Sequence, residues 1–203
     1  MIEAISRSIS SGVTFTTLAD DVSAIAPDIT AETIGNYVNL LERLFIIERQ
    51  HPWTPRLRNK ARLRKSSKIH LADPSLAAVA LGVEPSRLTR ELGFFGQLFE
   101  SAVIHDLSVF ADAMGGEVRT YLDSYNKEID AIVTLPGGRW GAIEIKLGGT
   151  QIESAMVSLE QTISEIDTKA VGEPEFKAVI TGTGPTYTAA NGIVTFPLSA
   201  LAP

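Results

Sequence analysis

NKEIDAIVTLPGGRWGAIEIK, residues 126 to 146, reads as a β-hairpin, and its register decides the fold. Pro136 suits the first central position of a type I turn and Gly138 the positive φ of a closing bulge, which predicts a three-residue loop over Pro136, Gly137 and Gly138. With Leu135 opposite Arg139, the pairs that follow are Val133 with Gly141, Ala131 with Ile143, Asp130 with Glu144 and Glu128 with Lys146. Paired residues share a face. One face then carries Ile129, Ala131, Val133, Leu135, Ile143, Ile145 and Leu147, and the other Glu128, Asp130, Glu144 and Lys146.

Opposed carboxylates repel, and burial raises a carboxyl pKa or demands a counter-charge. Lys146 can supply that charge, as can a divalent cation, and oxygen donors suit magnesium or manganese better than zinc. The plain alternative is a solvent-washed polar face, which antiparallel sheets commonly have.

Asp130 on one strand and Glu144-Ile145-Lys146 on the next resemble the signature of the PD-(D/E)XK nuclease superfamily, with Ile129 where the name carries a proline. The core of that superfamily is a helix, a three-strand meander, a helix and a strand, often with a further acidic residue on the first helix. Residues 91 to 114 have the spacing of a helix with one buried stripe, Leu92, Phe95, Phe99, Val103, Leu107 and Phe110, and Glu100 at its margin. Glu117 to Leu122 is expected as the first strand and 151 to 168 as the second helix, through Ile152, Met156, Leu159, Ile163 and Ile166. Phe176 to Thr181 and 193 to 196 read as buried strands.

The resemblance implies catalytic roles for Glu100, Asp130, Glu144 and Lys146. Asp130, Glu144 and the main-chain carbonyl of Ile145 would hold one magnesium or manganese, with Glu100 as a further ligand or behind the ligands, and Lys146 would orient the attacking water or stabilise the charged phosphorane. Gln161 is a candidate for a supporting role or an ordinary exposed residue, and His51, His70 and His105 read as structural.

The chain has 203 residues, a net charge of −6 and no cysteine, which excludes disulfides, thiolate metal sites and cysteine nucleophiles. No apolar run approaches the roughly 18 residues that span a bilayer, and the N-terminus lacks a signal-peptide layout, so a cytoplasmic protein is expected. Residues 1 to 68 hold ten Lys or Arg against seven Asp or Glu, a balance of +3, and residues 69 to 203 hold eight against seventeen, a balance of −9. Arg56, Arg58, Lys60, Arg62, Arg64, Lys65 and Lys68 form a basic patch, the candidate nucleic-acid contact.

Upstream, helices are expected at about 2 to 10, 15 to 25 and 31 to 44, the third starting at Thr30 and lining one side with Ile34, Val38, Leu41 and Leu44. Strands are expected over 45 to 50 and 68 to 71, with Pro52 to Pro55 as a break between them. Three helices and a two-stranded ribbon make a winged helix-turn-helix, although Glu32, Asn36, Asn39 and Glu42, with Arg43 as the one cation, make its third helix a poor reader of DNA. Asp73-Pro74 and Gly82 bound a short helix in the joint that follows.

The expected division is therefore a winged helix over 1 to 72, a joint over 73 to 90 and a restriction-endonuclease-like domain over 91 to 203, α+β overall with α/β character at its end. Together these parts resemble the C-terminal half of a family of bacterial and archaeal AAA-type ATPases. The markers are Leu40-Leu41-Glu42-Arg43-Leu44, Leu71-Ala72-Asp73-Pro74, Gly96-Gln97-Leu98-Phe99-Glu100, Glu128-Ile129-Asp130 and Glu144-Ile145-Lys146. Family members carry an ATPase module upstream. The sequence has none, and TGTGPTYT at 181 to 188 lacks the lysine of a phosphate-binding loop, so no ATP site is expected. The chain is then either a piece of a longer product or a shortened relative, and an oligomer is compatible with either. The resemblance implies a metal-dependent DNA endonuclease, with a non-catalytic DNA-binding, regulatory or protein-interaction tail as the alternative.

Overall fold

A computed structural model describes residues 1–55, 66–123 and 125–201, which fall into two compact units. The first comprises Met1–Gln50 and Ser66–His105, and the second 51–55 and 106–201 as described. By packing, the stretch 73 to 90 belongs to the first unit, and the chain passes to the second inside a helix, after His105. Arg56, Arg58, Lys60, Arg62, Arg64 and Lys65 lie outside the described residues.

The first unit opens with α1 (Ile2–Arg7), α2 (Phe15–Val22) and α3 (Ala31–Arg43). Thr14 and Thr30 cap α2 and α3 by accepting from the N–H groups of Thr17 and Thr33, which fixes both starts. α3 buries Ile34 and Val38 fully, whereas Leu44, expected on the same side, is 58% exposed because the helix has ended and the chain reverses through Phe45 at φ 55°. β1 (Ile47–Gln50) pairs antiparallel with β2 (Lys68–Leu71), Ile47 opposite Leu71. α4 (Ser75–Ala80) turns Ala77 into the cluster formed by Ile5, Ile9, Leu18, Ile34, Val38, Ile47 and Leu71. The short α5 (Pro85–Leu88) follows, started by Pro85.

α6 (Leu92–Ala113) matches the predicted helix, but Leu92 is 62% exposed, and the buried row is Leu98, Ser101, Val103, Ile104, Leu107 and Ala111. β3 (Glu117–Leu122), β4 (Glu128–Leu135) and β5 (Arg139–Lys146) make an antiparallel meander. α7 (Ile152–Ser164) and α8 (Thr168–Val171) then return the chain to β6 (Phe176–Thr181), parallel to β5. β7 (Tyr187–Thr188) and β8 (Val194–Pro197) complete a six-stranded mixed sheet of order β3-β4-β5-β6-β8-β7. The architecture is α+β with helices against the sheet.

The hairpin register is as expected from Leu135–Arg139 to Ala131–Ile143. Its turn differs: Gly137 has φ 84° and ψ 10°, the third position of a type II rather than a type I turn, and Gly138 also takes a positive φ. The second face is not charged along its length. At the turn end it carries Ile132, Trp140 and Ala142, which pack with Val179 under Ile152, Met156, Leu159 and Ile163 of α7. Only the far end carries the charges, and α7 is the reason that face is not open to water.

The opposite face, with Val133, Leu135, Ile143 and Ala178, lines an apolar cavity of about 560 Å³ together with Leu107, Phe110 and Met114. At the sheet edge, Trp53 N–H donates to the Thr120 carbonyl at 2.6 Å and Thr120 N–H to the His51 carbonyl at 3.0 Å. The Trp53 ring lies 4.7 Å from that of Trp140, so the stretch expected only as a break extends the core. Among the described residues, no helix is long and apolar enough to cross a membrane.

Candidate functional site

The β4–β5 ladder ends at Ala131–Ile143. Asp130–Glu144 and Glu128–Lys146, expected as the next pairs, are absent from it, while Glu128 and Ile129 pair on the other side with Leu122 and Tyr121 of β3 beyond a register shift. The Asp130 side chain takes over, its Oδ2 accepting from the Ile145 N–H at 2.8 Å. A carboxylate has replaced the main-chain carbonyl as acceptor, which fixes Asp130 against Glu144 and Lys146.

Lys146 Nζ donates to Glu144 Oε2 at 2.7 Å and to Asp130 Oδ2 at 3.2 Å. Asp130 is 9% and Glu144 4% exposed, so the solvent-washed reading of this cluster fails. Desolvation, and then the charge of Asp130, pushes the Glu144 carboxyl well above the usual carboxylate range. Burial works against the Lys146 ammonium too, but Asp130 and Glu144 outweigh it and hold the ammonium above its ordinary value. One cation thus serves two carboxylates that water scarcely reaches.

The cluster floors a cleft of about 280 Å³ also lined by Asn126, Lys127, Glu128, Ser158, Gln161 and Thr162. Gln161, exposed on α7, is therefore at the cleft as well as at the surface. Glu128 lines the cleft, but no group of three or more His, Asp or Glu fit to hold a metal is found among the described residues. Two converging carboxylates, Asp130 and Glu144, are what the fold brings together, and their hard oxygens fit a magnesium-type ion in donor chemistry. Ile145 contributes its N–H to Asp130 as described.

Glu100 belongs to the first unit, where it accepts from Lys68 Nζ at 2.7 Å, the side chains being 17% and 9% exposed. Lys68, expected in the basic patch, is thus a buried strand residue engaged in an internal ion pair. His70 is fully buried: its Nδ1 lies 3.1 Å from Ser101 Oγ and 3.2 Å from Ser10 Oγ, and its Nε2 3.1 Å from Gln50 Oε1. His105 Nδ1 meets Glu48 Oε1 at 2.7 Å, while His51 is exposed. Sequence reasoning missed Lys127 and Asn126 as neighbours of the cleft; the signal was their place at the start of the quoted hairpin.

Two family models match the chain. One, described as domain of unknown function DUF8612, covers residues 1–87, and the other, domain of unknown function DUF4143, covers residues 95–201. No curated protein and no solved structure matches it.

Proposed function

The chain belongs to the DUF4143 family, and from that premise we propose that it is the C-terminal half of an AAA-type ATPase, a winged helix joined to a PD-(D/E)XK nuclease-like domain. DUF4143 is commonly found in C-terminal regions associated with such ATPases. Three helices with a two-stranded ribbon suit the first assignment, and a helix, meander, helix and parallel strand in this order suit the second.

The proposed activity is metal-dependent hydrolysis of DNA phosphodiesters. The observation that carries it is the convergence of Asp130, Glu144 and Lys146 at the floor of one cleft. Asp130 and Glu144 would hold a magnesium or manganese ion, which supplies Lewis-acid polarisation of the phosphate and a lowered pKa for water. Lys146 would then turn its ammonium to charge developing on the phosphate. Burial and the Asp130 charge raise the Glu144 carboxyl, and a second cation at the cluster would relieve both effects.

A second reading is favoured by the same ammonium: Lys146 already pairs with both carboxylates internally, an arrangement compatible with a non-catalytic DNA-binding or regulatory tail. Cleavage of supercoiled and branched DNA with magnesium or manganese, beside Lys146→Ala, separates the two. Cutting lost in the variant supports the nuclease, and no cutting by either protein supports the regulatory tail.

A further inference from the structure

We propose that the outward side of α3 is a self-complementary dimer surface, against which a second copy of this chain lays its own α3 antiparallel. The inference does not rest on the nuclease reading. Tyr37, Leu40 and Leu44 follow one another at three- and four-residue spacing and are all exposed, beside the row of Ile34 and Val38 that faces the core. A surface helix of a lone domain turns one apolar stripe inward. α3 carries a second, and it faces outward.

Phe45 extends this stripe at a cost to the fold. The end of α3 is a Schellman turn, in which Ile46 N–H donates to the Leu41 carbonyl and Phe45 N–H to the Glu42 carbonyl, both at 3.0 Å. Phe45 takes the left-handed position of that turn at φ 55°, where glycine is the unstrained residue, and it is 85% exposed. Neither the strain nor the exposure benefits the lone domain, and burial of the ring against a partner offsets both.

Two observations select a second copy as that partner. The first is area: Tyr37, Leu40, Leu44 and Phe45 together present roughly 450 Å² of apolar surface, taking roughly 200 Å² for each such side chain when fully exposed. A standard interface buries about 800 Å² per partner, a little over half of it apolar, so this patch suffices for its side of a dimer. The second is charge. Glu32 in the first turn of α3 and Arg43 in the last are exposed and stand about three helical turns apart, which puts them on one flank of the stripe. Laid antiparallel, two copies bring each Glu32 toward Arg43 of the other, whereas a parallel pair opposes like charges. The opposed helix dipoles favour the same arrangement. An unrelated partner would have to supply both signs in that order, and the chain's own α3 does so. Such an isologous contact closes on itself after two copies.

The experiment is sedimentation velocity on the full chain over a wide range of concentration. The wild type is expected to pass from monomer to dimer as concentration rises. Phe45→Gly removes the ring and relaxes the left-handed turn, so it should fold and yet dimerise roughly tenfold more weakly or worse. Glu32→Arg and Arg43→Glu should each weaken the dimer by a similar factor, because like charges then face each other, and the double exchange should restore it. Recovery in the double variant is a result that general loss of helix stability does not give. A wild type that stays monomeric at every concentration overturns the inference, whether or not the stripe takes a different protein, and so does a dimer that Phe45→Gly leaves unchanged. A dimer sensitive to Phe45→Gly but blind to the single exchanges, or not restored by the double one, overturns the antiparallel pairing and the inference with it.

Discussion

Asp130 Oδ2 accepts from the main-chain N–H of Ile145 across 2.8 Å, at the point where the ladder between their strands has stopped. The same oxygen lies 3.2 Å from Lys146 Nζ, so one carboxylate both closes the sheet and faces the candidate site. A side chain with two such duties can be altered in charge while its geometry is kept.

Asp130→Asn is the substitution that does this, since the amide oxygen still accepts from Ile145 while the charge is gone. The expected result is a folded protein whose manganese affinity has fallen tenfold or more, about 1.4 kcal/mol or above. Titration calorimetry with an unchanged dissociation constant would remove Asp130 from the metal site.

Lys146→Ala leaves Asp130 and Glu144 buried with no cation between them. Removing one partner of a buried pair costs about 3–5 kcal/mol, and the 27% exposure of the Lys146 side chain brings the expected loss to about 2–3 kcal/mol. Glu144→Gln in the same chain should recover most of it at a pH where the Glu144 carboxyl is ionised, because its repulsion with Asp130 then disappears. Added manganese should restore stability to Lys146→Ala if the carboxylates bind it, by the linkage of binding to folding. Urea unfolding with and without the metal measures both effects, and a Lys146→Ala protein as stable as the wild type would contradict the charge balance drawn here.

Much of the second unit was legible because its determinants are local. The glycines at 137 and 138 set the loop and thereby the register as far as Ala131, and the buried stripe of α7 is a run of residues three or four apart. The end of the ladder at Asp130 was not legible, since the turn sets where the pairing starts and its register but not where it stops. Glu100 and Lys68, 32 residues apart, meet only through tertiary packing. Trp53 followed a proline in a stretch that reads as a break, and its contact with Trp140 joins positions far apart in the chain. Chemistry that crosses from one element to another is what a periodic pattern leaves out.

Two glycines separate backbone from side-chain crowding. A Cβ at Gly116 would lie 2.3 Å from the Thr134 carbonyl oxygen, which the β3–β4 pairing holds in place. A Cβ at Gly141 would lie 2.3 Å from the Phe176 ring, but that residue is 38% exposed and can turn outward. Gly116→Ala should therefore cost roughly 2–3 kcal/mol and Gly141→Ala about 1 kcal/mol. Thermal or urea unfolding giving the reverse order would mean that the Phe176 ring is held more firmly than the strand.

The buried imidazole of His70 predicts a specific acid sensitivity. Desolvation, and then the Lys68 charge, lowers its pKa from 6.5 to about 3. The folded state therefore keeps the ring neutral, and with its proton on Nε2 the ring donates to Gln50 and accepts at Nδ1 from Ser101. The unfolded chain takes up a proton below about 6.5, so between that pH and about 3 it binds more protons than the folded chain, and stability falls as pH falls through this window. The full difference is on the order of 5 kcal/mol. His70→Asn cannot titrate and should be less stable at neutral pH, through its lost contacts and volume, yet show a flatter dependence from pH 6.5 to 4. Urea unfolding across that range is the measurement, and parallel slopes for the two proteins would assign the acid sensitivity to other groups.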